Sequence, residues 1–284
     1  SPTKPALLGG LLTAAILLAG CGSQPDSSAE SASPWTATIP PLASVTELVT
    51  GTPVPALLAP GSSPHTYDPR PSDMRRLRRS AALIRGSEAL DPWASDLSGT
   101  RVLGLVALLP DSLHRPLPGH AAPSSPGGSP VLDPHFWTDP LAVKALLPVL
   151  ADTLCTLQPS ACGDYRAHVR TASDRLDDLH RSIRETVASL GGRPVLLAQP
   201  FLGYFLDRYG IPVSGVVQPG PGRSPGPRRI EELIAHAKRD SVSVILTLPG
   251  APPPGTETIA RESGARLVSV PALGTGEAPS GYEN

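Results

Sequence analysis

Two histidines carry the chemistry that this chain can offer. His65 lies in Ser63-Pro64-His65-Thr66-Tyr67-Asp68-Pro69, followed by Arg70-Pro71-Ser72-Asp73 and a helical pattern. His135 lies in Asp133-Pro134-His135-Phe136-Trp137-Thr138-Asp139-Pro140, again just ahead of a helical pattern. In both, proline fixes the approach of the backbone and the imidazole is offered from a loop at a helix entrance. A neutral imidazole is a good ligand for zinc and similar cations. An acid on the second ring nitrogen would orient each ring, and Asp68 and Asp133 are the acids at hand. A single loop histidine reads as polar surface; two framed alike raise the reading of a metal site.

Elements that must position these loops follow from the hydrophobic pattern. Thr36 to Ile39, Arg101 to Leu105, Val195 to Ala198 and Val242 to Leu246 are apolar runs of strand length. Amphipathic stretches lie between them: Ser72 to Ile84, Leu141 to Leu154 and Arg228 to Ala237. Such alternation predicts α/β layers with mainly parallel sheets, and loops at the edge of an α/β sheet are where ligands bind. Tyr165, Val169, Ala172, Leu176, Leu179, Ile183, Val187 and Leu190 recur at helical spacing. They predict a helix about 40 Å long, at about 1.5 Å per residue, stopped by Gly191-Gly192. The organisation expected is therefore a lobe over residues 35–162, a linking helix over 163–191 and a second lobe over 192–284. The proline- and glycine-dense segment from Pro110 to Pro130 reads as a long exposed loop.

The first residues look like an export signal. Lys4 supplies a positive charge, Ala6 to Ala19 an apolar run too short to span a membrane, and Leu18-Ala19-Gly20-Cys21 a lipoprotein cleavage site. Residues 1–20 are thus expected to be removed, leaving a lipid on Cys21. Acyl chains buried at about 0.8 kcal/mol per methylene would hold the protein at the membrane. Residues 21–34, rich in Ser, Gly and acidic side chains, read as a flexible tether. Outside the cytoplasm Cys155 and Cys162 are expected to pair as a disulfide across Gln158-Pro159-Ser160; without a nearby pair of histidines the spacing is poor for zinc. A net charge of −1, from 24 Lys and Arg against 25 Asp and Glu, gives no global field to recruit nucleic acid.

Pro64 to Asp73 has the form Pro-His-x-Tyr-x-Pro-x-Pro-Ser-Asp, and Asp133 to Pro140 the form Asp-Pro-His-x-Trp-x-Asp-Pro. With the stretch from Leu83 to Trp93, the break at Leu157-Gln158-Pro159 and Tyr165 opening a long helix, the chain resembles the zinc and manganese substrate-binding lipoproteins of ABC transporters. The likeness covers nearly the whole chain after Cys21. It implies two α/β lobes joined by one spine helix, with an ion between the lobes. It also implies Zn2+ or Mn2+ as cargo, a membrane permease and its ATPase as partners, and a monomer, not an enzyme. The location implied is extracytoplasmic, lipid-anchored on the periplasmic side or the cell surface. Two ligand positions of the family match His65 and His135; the third falls on Gln199, a weaker neutral oxygen donor than the histidine expected there. The two stretches where a fourth, acidic ligand is expected, Ile245 to Pro249 and Leu267 to Pro271, offer no carboxylate; Glu277 lies in the Gly/Pro-rich tail beyond. His114 and His120 stand where relatives often carry a histidine-rich accessory loop. The implied function is metal capture for an importer at a degraded site. Its alternative is a protein of the same fold that has given up metal for another ligand or an adhesive or scaffolding role. A third reading is a metallohydrolase using Asp133, His135 and His65, but no Ser/His/Asp or His-Glu-x-x-His arrangement is present, and a catalytic zinc normally needs three protein ligands plus water.

Overall fold

The computed structural model describes residues 33–59, 62–97, 99–119, 130–220, 222–272 and 282, so the signal stretch, Cys21, His120 and Glu277 fall outside the described residues. Ser33–Asn284 form one compact unit built on two parallel sheets. In the first, β1 (Trp35–Ala37), β2 (Ala82–Arg85) and β3 (Val102–Gly104) lie in the order β1-β2-β3. The segment around Ala56 adds to the free side of β1, where the Ala37 N–H donates to the Pro55 carbonyl and the Leu57 N–H to that of Ala37, both at 2.9 Å. In the second sheet, β4 (Val195–Leu197), β5 (Val213–Val216), β6 (Val244–Thr247) and β7 (Arg266–Ser269) lie in the order β5-β4-β6-β7. Counting the Ala56 segment, each lobe has its second extended segment, then its first, third and fourth. The two lobes therefore share one topology. In each, the chain leaves the first segment in one direction and later returns on its other side, which makes the switch point at which α/β sheets bind ligands.

One element differs from the pattern-based expectation. The run Ser72 to Ile84 is not one helix: α2 (Pro71–Leu77) ends early and β2 follows. Leu83 and Ile84 are fully buried, as the middle strand of a parallel sheet must be on both faces. A short, wholly apolar run has no period that separates strand from helix.

α1 (Pro40–Thr50), α3 (Pro140–Leu157) and the spine α4 (Cys162–Ala188) pack together on the first sheet. α3 and α4 are antiparallel, joined at one end by Cys155 and Cys162, whose sulfurs are in bonding contact with Cα atoms 5.1 Å apart. Lys144 in the first turns of α3 donates to Asp177 Oδ1 at 2.7 Å. At 18 residues against 27, α3 runs out near there, and the apolar stripe changes accordingly. Tyr165, Val169, Ala172 and Leu176 are buried, Leu179, Ile183 and Val187 only partly, and Leu190 is 51% exposed. The second lobe adds α5 (Gly203–Arg208), α6 (Pro227–Arg239) and α7 (Thr256–Ser263). Its chain also reaches back. Tyr204 of α5 joins the first lobe's core, Trp137 Nε1 donates to the Ala272 carbonyl at 3.0 Å and the Tyr282 hydroxyl to the Trp137 carbonyl at 2.6 Å.

Candidate metal centre

Each histidine loop is braced by its own motif. Around His65, the Tyr67 hydroxyl donates to Asp73 Oδ2 at 2.7 Å, and the same oxygen accepts the Arg70 N–H at 2.8 Å, capping α2. Trp93 packs its ring on Tyr67, centroids 5.1 Å apart, and its Nε1 donates to the Pro64 carbonyl at 2.9 Å. The tyrosine, acid and tryptophan of the motif are thus the parts that hold the imidazole in place. Asp68 does not orient His65: it is exposed, and the contact to the ring comes from the Ala89 backbone. That wall is set in turn by Asp91, fully buried, which accepts from the Thr38 hydroxyl at 2.6 Å and from the Gly86 and Ser87 N–H groups. Burial holds the Asp91 carboxyl above the usual carboxylate range against those hydrogen bonds.

His135 is held more rigidly. Asp133 Oδ1 accepts both the His135 backbone N–H at 2.9 Å and its Nδ1 at 2.7 Å. A carboxylate only accepts, so in the neutral ring the proton sits on Nδ1 and Nε2 is the nitrogen offered to a cation. Asp133 is delivered by a short antiparallel ladder in which the Leu117 N–H donates to Val131 and the Asp133 N–H to Arg115. Beyond it, Phe136 is fully buried and Trp137 nearly so. Pulling such an aromatic from its core costs about 3–5 kcal/mol when truncated, which fixes the turn. Asp139 then caps α3 through the Leu141 N–H at 2.9 Å and pairs with Arg208 of α5 at 2.7 Å, tying the site to the second lobe. Gly203 at the start of α5 lies so close to Asp133 that a Cβ there would clash with Oδ2.

The two histidines face one cavity. Burial and the neighbouring His135 both lower the His65 pKa, so His65 keeps the neutral form that binds metal. They line a cavity of about 570 Å³ at the carboxyl ends of both sheets. The second lobe contributes Gln199 after β4, Gln218 after β5, Leu248 and Pro249 after β6, and Pro271 after β7. Both stretches expected to hold an acid thus reach the cavity, with leucine and proline. Among the described residues no group of three His, Cys, Asp or Glu side chains is placed to hold a metal.

Gln199 is turned in an informative way. Its Oε1 accepts from the Leu248 N–H at 3.5 Å and lies 3.3 Å from the Thr247 hydroxyl, whose one proton it shares with the Leu248 carbonyl, also at 3.3 Å. A backbone N–H can only donate, so the amide oxygen faces its own lobe and the NH2 group is the end left for the cavity. His114 is not at the site; its Nε2 lies 3.1 Å from the Val106 carbonyl. Gln218 was missed from the sequence, although Gln218-Pro219 after β5 repeats Gln199-Pro200 after β4.

Two α/β lobes on one spine helix, closing histidines into a cleft between parallel sheets, define a two-lobed solute receptor. Residues 36–284 match the family model of the periplasmic zinc-uptake complex component A, and the chain belongs to that family, whose role is uptake and not catalysis. The chain is 22% identical over 239 residues to the zinc-binding protein AdcA of Streptococcus pyogenes, covering 78% of this chain and 46% of that protein. It thus spans about half the length of that relative. The fold is shared with a mutant of the laminin-binding adhesin of Streptococcus agalactiae, with TM-score 0.73, 20% identity and coverage of 87% and 93% of the two chains. It is shared also with the binding protein FpvC of Pseudomonas aeruginosa, solved in complex with Mn2+, with TM-score 0.72, 25% identity and coverage of 88% and 92%.

Proposed function

We propose that this chain is the extracytoplasmic solute-binding lipoprotein of a divalent-metal ABC importer, with zinc as the first cargo and manganese as the second. The observation that carries the reading is the paired His65 and His135, with Asp133 Oδ1 on the far nitrogen of the second ring. Two imidazoles with a carboxylate behind one of them are half of a zinc site. The other half is degraded: the described cavity wall of the second lobe offers amides, leucine and proline where charged ligands would neutralise a dication. The protein is a monomer anchored through a lipid on Cys21, which keeps it beside the permease and ATPase it serves. Cys155 and Cys162 form a disulfide that staples α3 to α4.

Elemental analysis of the purified protein, with calorimetric zinc and manganese titration, tests the reading. Bound metal lost in His65→Ala/His135→Ala is the expected result. Metal binding of equal strength in parent and double variant would overturn it. Anchoring has its own assay: the full-length protein should fractionate with membranes and incorporate labelled fatty acid, and Cys21→Ser should do neither.

A further inference from the structure

The cavity is too large and too apolar for the ion alone. Two waters completing a zinc tetrahedron beside His65 and His135 would take about 60 Å³, at about 30 Å³ each. That is roughly a tenth of the about 570 Å³ present, a volume within the range of about 300–1,000 Å³ typical of small-molecule sites. Most of the rest of the wall is hydrocarbon, from Leu90, Leu117, Val131, Phe201 and Leu248 together with prolines of both lobes, with Ser62, Ser63 and Gln218 as further polar side chains. Water fills such a space poorly, and a dication held by two neutral rings would keep its whole charge in it. The polar groups opposite the histidines suit something other than a cation. The Gln199 NH2 group is a pure donor, left for the cavity because its oxygen is engaged by Thr247 and Leu248. A donor of this kind repels a metal ion and hydrogen-bonds to an anionic oxygen.

We propose that the cavity takes the divalent ion as its complex with a small organic carboxylate chelator that has an apolar body. The chelator would bring the missing negative charge to the metal, its uncoordinated carboxylate oxygen would accept from Gln199, and its hydrocarbon would cover the leucines and prolines. The inference rests on the reading of His65 and His135 as ligands, and Gln199 becomes a specificity residue for the chelator instead of a metal ligand.

Picolinate is a suitable probe: a flat monoanion whose ring nitrogen and one carboxylate oxygen bind zinc and leave two positions for the histidines. Calorimetry of the purified protein with zinc alone, picolinate alone and the one-to-one complex gives the test. Zinc binding should tighten by about tenfold or more when picolinate is present, the size of an ordinary coupling between two ligands. Gln199→Leu should remove that gain. Gln199→Glu, which supplies a carboxylate from the protein, should tighten zinc alone and cancel the gain. A chelator that only competes, weakening zinc binding to the parent protein, would overturn the proposal. So would a large loss of zinc-only affinity in Glu277→Gln, since the tail would then be the source of the charge. Either of those leaves the histidine reading standing. Zinc binding that survives His65→Ala/His135→Ala removes both.

Discussion

Asp133→Asn keeps the shape of the acid behind His135 and removes its charge. In the parent protein Oδ1 takes two hydrogen bonds from His135, at 2.9 and 2.7 Å, and the other oxygen is buried without a partner among the described residues. An asparagine can still accept at Oδ1, so the ring need not turn. What changes is the basicity of Nε2, because the imidazole loses the negative charge that stabilises electron donation to a cation. Loss of such an outer partner costs about 10–100-fold in metal affinity, or about 1.4–2.7 kcal/mol at about 1.36 kcal/mol per tenfold. A second cost is to folding. The new NH2 group takes the place of Oδ2, which lies against Gly203 at the start of α5. A buried donor without an acceptor costs about 1–3 kcal/mol. Zinc calorimetry reads the first effect, and urea unfolding of the metal-free protein reads the second. An Asp133→Asn protein that binds zinc as tightly as the parent, while His135→Ala binds none, would refute the orienting role of Asp133. Unchanged stability would refute the tight packing of α5 on it.

Arg208→Ala should destabilise the protein by about 3 kcal/mol in urea unfolding, because it strands Asp139, only 2% exposed, as a lone buried carboxylate; Arg208→Lys should recover part of this. Gly203→Ala should cost about 1–3 kcal/mol by overpacking against Asp133 and Pro118, read as a lower thermal midpoint together with weaker zinc binding. Serine at both Cys155 and Cys162 should cost about 2.5 kcal/mol, as expected for a loop of about eight residues, or about 5–10 °C in Tm. Acid should destabilise the metal-free protein in a way traceable to His65. Its folded pKa lies below the usual histidine value, so the unfolded chain binds the proton more readily. Stability is then full above about pH 6.5 and falls as pH drops through that value toward the folded pKa. Unfolding free energies measured across this window should show a shallower slope in His65→Gln; an unchanged slope would refute the burial of the ring.

The histidine loops were legible in the sequence because their supports are local. Asp73 reaches Tyr67 and the Arg70 N–H within six residues, and Asp133 reaches His135 within two. Proline on either side removes most other conformations. The helices α3, α4 and α6 were legible for a similar reason, since a period repeated over many residues outweighs single exceptions. Resemblance of those motifs to a transport family completed the outline of two lobes and a spine.

The remainder depends on partners far along the chain. β2 was hidden in a run with helical spacing, and only its place between β1 and β3 makes it a strand. The spine's apolar stripe is continuous in sequence, yet α3 is nine residues shorter and leaves its end half-covered. Asp68 and Asp133 looked alike beside their histidines, but only one is folded against its ring. Gln199 read as a weak oxygen donor to metal until Thr247, 48 residues away, and Leu248 took up the oxygen and turned the NH2 end to the cavity. What the sequence determined by itself is which groups could bind a metal and the local frames that hold them. Which of those groups face one another, and whether oxygen or nitrogen points inward, is decided by contacts across tens of residues, because hydrogen-bond direction is set by whichever partner the fold brings near.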